Sequence, residues 1–194
     1  WTLLESSYDT GVPVMATMEY NGNTYDSVGV KLKGETSYFM LPNGSQKYSF
    51  DINMDEYVNG QDVAGYESFN LNNGFQDASV MRDVLYKHLI RPHVPAARAC
   101  FAQLYINNSN WGHYCLVQDL DGDFIKEWWF SNDGARWRAQ RPTGGMGGQW
   151  GDGTAALNYL GNDTASYQEY YTLKNSNMTQ PWEKLVITCD KLNN

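Results

Sequence analysis

From Val14 to Lys33 apolar and polar positions alternate. Val14, Ala16 and Met18 are set against Met15, Thr17 and Glu19; after Asn21-Gly22, Val28, Val30 and Leu32 are set against Gly29, Lys31 and Lys33. A period of two around an Asn-Gly pair predicts a β-hairpin with one buried face. A loop is expected over residues 34–45. Tyr48, Phe50 and Ile52 against Ser49, Asp51 and Asn53 then predict a half-buried strand, entered through Lys47. Residues 55–65 are polar and loop-like, and 66–71 read as a further short strand.

At Asp77 the period changes. Met81, Val84, Leu85, His88 and Leu89 mark one helical face, with Asp77 as N-cap and Pro92 and Pro95 as stops. Alternation returns at Cys100, Ala102, Leu104 and Ile106, turns at residues 107–110, and comes back through 111–118 as a second hairpin. A short helix is expected at 121–129, an irregular Gly-rich stretch over 131–156, and helices at about 163–172 and 180–192. Trp182, Leu185, Val186 and Cys189 form an apolar stripe on the last helix that calls for a packing partner. Strands, a helix, strands, then helices predict an α+β fold with a mainly antiparallel sheet.

Composition narrows the function classes. A net charge of −8 argues against a nucleic-acid backbone or an anionic membrane surface as partner. No apolar run approaches the roughly 20 residues of a membrane span. Sequons stand at Asn43, Asn107, Asn162 and Asn177, and abundant Asn, Gly, Tyr and Trp with little lysine suit a secreted, extracellular protein. Of the three cysteines, Cys100 and Cys115 fall in adjacent predicted strands and can pair, leaving Cys189 over; three buried thiols are the other reading.

Several motifs fall short of the chemistry they suggest. The run of glycines at 144–153 matches neither a dinucleotide fingerprint nor a phosphate loop with its lysine, and is expected to be a surface loop. Asp119-Leu120-Asp121-Gly122-Asp123 has calcium-loop acids, but its glycine is two places early and Phe130 stands where the bidentate glutamate belongs. Capping of the following helix by Asp121 or Asp123 is the plainer reading. His88, His93 and His113 lack metal-ligand spacing.

The basic residues around the first helix combine better. Lys33 closes a strand before Gly34, Lys47 opens the next, and Arg82 follows the knot Asn72-Asn73-Gly74-Phe75-Gln76-Asp77. Cations at a sheet margin beside a glycine turn and a helix start are suited to phosphate oxygens. Each alone reads more readily as a solvated lysine or a surface ion pair.

In that order along the chain, Val28–Gly34 with Ser37, Gln46-Lys47-Tyr48-Ser49-Phe50, and Leu71-Asn72-Asn73 with Asp77–Arg82 resemble the CotH family of atypical protein kinases. So do Pro95-Ala96-Ala97-Arg98, Tyr105-Ile106-Asn107 with Trp111–Tyr114, and Ala156-Leu157-Asn158-Tyr159 with Gly161-Asn162-Asp163. The chain looks like the N-terminal part of one such domain, residues 1–194, of the secreted bacterial type, with 131–156 as an insertion. The resemblance implies a divergent kinase-like fold that binds ATP with Mg or Mn and phosphorylates protein side chains. Lys47 is then the first candidate for the phosphates, and Lys33 and Arg82 the second.

Two departures temper that expectation. Gln118 replaces the glutamate of the family's Leu-Val-Glu run, so a lysine–glutamate pair cannot form there. The resemblance also places the catalytic aspartate and the metal-holding Trp-Asp-x-Asp segment beyond Asn194, so no catalytic or metal residue is assigned and this chain alone is expected to be inactive. The alternative is a non-catalytic structural or adhesive module with a coat or other extracellular partner. A carbohydrate-binding β-sandwich does not accommodate the helices after Asp77 and Thr179.

Overall fold

The computed structural model of the protein describes residues 1–140 and 154–194, in two compact units, Trp1–Phe124 and Ile125–Asn194. The Gly-rich run at 144–153 and Arg141 lie outside the described residues.

The first unit is built on a six-stranded antiparallel sheet. β1 (Val14–Tyr20) and β2 (Asn23–Lys33) form the expected hairpin, with Asn21 and Gly22 both at positive φ, as a two-residue turn requires. β3 (Ser49–Asn53), β4 (Ser68–Asn72), β5 (Ala99–Ile106) and β6 (Ser109–Gln118) complete it in the order β1-β2-β3-β4-β6-β5. The exchange of β5 and β6 follows from α3 (Arg82–Ile90), which carries the chain from β4 to the sheet edge before β6 returns beside β4.

The alternation read in the sequence sorts the two faces. Leu32, Phe50, Ile52, Phe69 and Leu71 are buried on one side with Val28, Met54, Val63 and Tyr114. Lys31, Lys33, Ser49, Asp51, Asn70 and Asn72 occupy the other, since side chains change face at each residue of a strand. Toward β6 this second face turns apolar: Cys115 and Val117 pack with Val84 of α3, Ala97, Val80 and Ala99. One half is therefore covered by α3, and the half carrying Lys33 and Asn72 borders a hollow.

Residues 1–13 gave no expectation, yet α1 (Thr2–Thr10) forms there and ends at Gly11 in the left-handed conformation. Its Leu4 and Tyr8 pack on the apolar face, and buried Ser7 accepts a hydrogen bond from the Leu32 backbone N–H at 3.1 Å. β1 pairs with β2 only as far as Val30, so the serine hydroxyl takes over where the strand partner runs out. The expected loop at 34–45 contains one helical turn, α2 (Thr36–Phe39).

The helix expected from Asp77 begins five residues later, at Arg82. Its expected apolar face is also corrected: Val84 alone of that set is buried, while Met81, Leu85, His88 and Leu89 are exposed. A helix of nine residues seated by one edge over β6 has room to bury a single turn-to-turn line of side chains. No disulfide forms. Cys100 lies opposite Leu116 and Cys115 opposite Phe101, so the two thiols point to different faces, and all three cysteines are free.

α4 (Gly122–Trp129) starts as expected, with the Asp121 carboxylate accepting from the Asp123 and Phe124 backbone N–H groups, each at 3.0 Å. In the second unit, β7 (Ala135–Ala139) interrupts the stretch read as irregular and pairs with β8 (Tyr171–Ser176). The helix expected at 163–172 shrinks to α5 (Ala165–Gln168), because Tyr171 and Thr172 are taken by the strand. α6 (Pro181–Asn193) matches its expectation. Its stripe of Trp182, Leu185, Val186 and Cys189 meets Tyr167, Tyr171 and Trp137, so the partner it calls for lies within the unit.

Candidate functional site

The junction between β4 and α3 is organised by Asn73. Its backbone N–H donates to Ser49 Oγ at 3.0 Å, and its side-chain amide donates to the carbonyl oxygens of Lys47, at 2.8 Å, and Ser37, at 3.3 Å. Its Oδ1 accepts from the Phe75 N–H at 3.1 Å. One buried asparagine thus ties together the loop after β2, the entry to β3 and its own turn.

Gly74 and Val80 make the rest of the turn. Gly74 has φ +68°, and a Cβ there would lie 3.0 Å from a Val80 methyl. Val80 itself sits at φ +56°, a conformation that costs a β-branched residue on the order of 1–2 kcal/mol. Its surroundings hold it: its N–H donates to the Asp77 carbonyl at 3.0 Å, and its carbonyl accepts from the Cys115 thiol at 3.1 Å.

Asp77 caps the helix from a distance. Oδ2 accepts from the Arg82 N–H at 2.8 Å, and Oδ1 accepts from Ser79 Oγ at 2.6 Å and from the Ser79 N–H at 3.1 Å. The Arg82 side chain returns with Nε 3.5 Å from Oδ1. The Ser79 hydroxyl, then the Arg82 N–H, hold the Asp77 carboxyl below its usual range. The cap assigned from sequence is present, but acts across a turn and not at the residue before the helix.

These segments border a hollow of about 530 Å³. Lys33 and the loop to Ser37 form one wall, the Asn72–Phe75 turn another, and Asp77, Arg82, Asp83 and Cys115 a third. Gly34 has φ +93°, and a Cβ there would collide with Ser37 Oγ, so the loop turns this tightly only with glycine. The Lys33 ammonium donates to Asn70 Oδ1. Asp83 accepts from Asn72 Nδ2 at 2.8 Å and from the Lys87 ammonium.

The structure brings Lys33 and Arg82 to one hollow and does not bring Lys47 there. The Lys47 ammonium lies 5.2 Å from the centroid of the Tyr114 ring, on the apolar side of the sheet. Tyr114 is fully buried, and its hydroxyl has no partner among the described residues. Burial pushes that phenol up, so the contact is a cation over a neutral ring and not an ion pair.

Gln118 lies opposite Phe69, on the apolar side, where its Oε1 accepts from the Arg98 N–H at 3.0 Å. The acids near the polar side are the next residues. Asp121 accepts from Ser68 Oγ at 3.0 Å, and Asp119 from Asn70 Nδ2 at 3.4 Å. Sequence reasoning missed Asn73 and Asn70 as individuals. Asn73 was visible only as one of two asparagines before a glycine, and Asn70 as a polar residue alternating with Phe69 and Leu71. Among the described residues no group of three or more His, Cys, Asp or Glu side chains is placed to hold a metal ion, and no helix is long and apolar enough to cross a membrane.

No match is found among curated proteins. The model of the family described as CotH kinase protein matches residues 30–194, from β2 through all three walls of the hollow to the end of α6. The chain belongs to the CotH kinase protein family.

Proposed function

We propose that the hollow binds the phosphate chain of ATP, and that the chain contributes nucleotide binding to phosphorylation of protein side chains. The observation that carries this reading is the convergence of Lys33, from β2, and Arg82, from α3, on one cavity beside a tight glycine loop, in a member of a kinase family. Lys33 presents a point charge to the phosphates, and exposed Arg82 adds a second at the rim.

Three acids, Glu35, Asp77 and Asp83, also line the hollow. They disfavour a bare triphosphate and favour one that arrives with Mg or Mn, which neutralises charge on the group transferred. Asp77 and Asp83 already accept from Ser79, Arg82, Asn72 and Lys87, so this set of residues does not fit as a metal cage. We assign these 194 residues nucleotide binding without phosphoryl transfer. Calorimetric titration of the chain with ATP and Mg tests the reading: saturable 1:1 binding lost in Lys33→Met supports it, and no binding at millimolar ATP overturns it.

A second reading, a structural or adhesive extracellular module of the same fold, is favoured by the engagement of both aspartates in internal hydrogen bonds. An extracellular setting fits either reading, since the asparagines of all four sequons are exposed. Stable self-assembly or surface attachment with no nucleotide binding would select the second.

A further inference from the structure

We propose that Asn70 is a positioning residue for Lys33, standing between that lysine and Asp119 and coupling the two charges through its side-chain amide; as a role in phosphate binding, this rests on the reading of the hollow given above. Lys33 Nζ donates to Asn70 Oδ1, and Asn70 Nδ2 donates to Asp119 Oδ1 at 3.4 Å. Both ends of the amide are thereby used, one facing a cation and the other an anion.

The placement follows from register. Lys33 lies opposite Ser49 on β3, and Asn70 lies opposite Asp51 on the next strand, so the lysine side chain reaches diagonally across β3. A four-carbon stem has many rotamers, and fixing its end needs a strong acceptor. Asn70 is buried, its amide carbonyl points at the ammonium, and the Asp119 carboxylate polarises that amide from the far end. On the same face, Lys31 meets Asp51 at 3.2 Å and stays on its own strand pair. With Gln118 turned to the apolar side, Asp119 is the acid at the end of β6 that reaches the polar side.

An amide relay has a chemical consequence. A carboxylate in direct contact would neutralise the lysine and compete with phosphate for it. An amide orients the ammonium without itself cancelling the formal charge, and Asp119 acts on it through that amide.

Quantitative acylation of lysines by limiting acetic anhydride, read by mass spectrometry, reports on Lys33 with no nucleotide present. A held ammonium must leave its acceptor and lose a proton to react. Asn70→Leu and Asp119→Asn are each expected to raise Lys33 labelling about threefold or more relative to Lys184 and Lys191. The double variant Asn70→Asp with Asp119→Asn reverses the polarity of the relay and is expected to restore slow labelling. Asp119→Asn keeps the shape of the site, so the test survives if Asn70→Leu does not fold.

ATP affinity is measured on the same proteins, with a fall of about tenfold expected for Asp119→Asn and no recovery in the double variant, whose carboxylate at position 70 competes with phosphate for Lys33. Labelling of Lys33 that is unchanged by Asp119→Asn, or no slower in the double variant, overturns the positioning role. Labelling that changes as expected in a protein that binds no ATP upholds the role and removes the nucleotide reading instead.

Discussion

The Asn73 side chain donates to the Lys47 carbonyl at 2.8 Å while the Lys47 ammonium lies over Tyr114, so the junction holds Lys47 by its backbone and leaves its charge outside the hollow. Asn73→Ala removes two donors and an acceptor from a buried position and leaves the Lys47 and Ser37 carbonyls short of a partner. A loss of about 2–4 kcal/mol in unfolding free energy is expected in urea titration. A loss below the scatter of surface substitutions would mean that water replaces the amide.

Lys33 and Lys47 are expected to separate by function. Lys33→Met is expected to weaken ATP binding about tenfold or more, because it removes a charge that lines the hollow. Lys47→Met is expected to leave ATP binding unchanged and to lower the melting temperature slightly, through loss of the contact with Tyr114. The opposite ranking would move the site to the other face of the sheet.

Gly34→Ala tests the loop. Its φ of +93° and the nearness of Ser37 Oγ make any Cβ costly, by about 1–2 kcal/mol from conformation alone. The variant is expected to lose ATP affinity more than stability, since the loop forms a wall of the hollow and contributes little to the core. Equal affinity in Gly34→Ala and the parent would exclude the loop from the site.

Asp77 gives the fold an acid sensitivity with a defined sign. Its carboxyl is held below its ordinary value, chiefly by the Ser79 hydroxyl and then by the Arg82 N–H. The stabilisation it provides is present above the unfolded-state pKa near 3.8 and is lost as pH falls through the lower folded-state value. Melting curves from about pH 5 to pH 2 should fall less steeply for Asp77→Asn than for the parent. Parallel curves would show that the cap is not an ionised group.

Thiol chemistry distinguishes the cysteines. Cys100 is exposed, whereas Cys115 and Cys189 are buried and burial pushes both thiols up. One thiol per chain is expected to react quickly with a disulfide reagent in the native state, and three after unfolding. Rapid reaction of all three would contradict the packing of Cys115 under α3.

The sequence by itself determined the six strands of the first unit, both hairpins and the choice of buried face from Val28 to Leu71, because alternation and Asn-Gly or Asn-Asn turns are local properties of the chain. It also determined the family, through short segments in a fixed order, and the capping roles of Asp77 and of either Asp121 or Asp123, since an acid before a helix has few other uses. Tertiary structure alone decided which cations meet. Lys33, Lys47 and Arg82 lie far apart in sequence, and side-chain direction depends on the register of β2 against β3 and on where α3 crosses β6. It decided too that Asn73 and Asn70 organise the hollow, because an amide's value lies in the partners at its two ends, and these come from strands that only folding brings together.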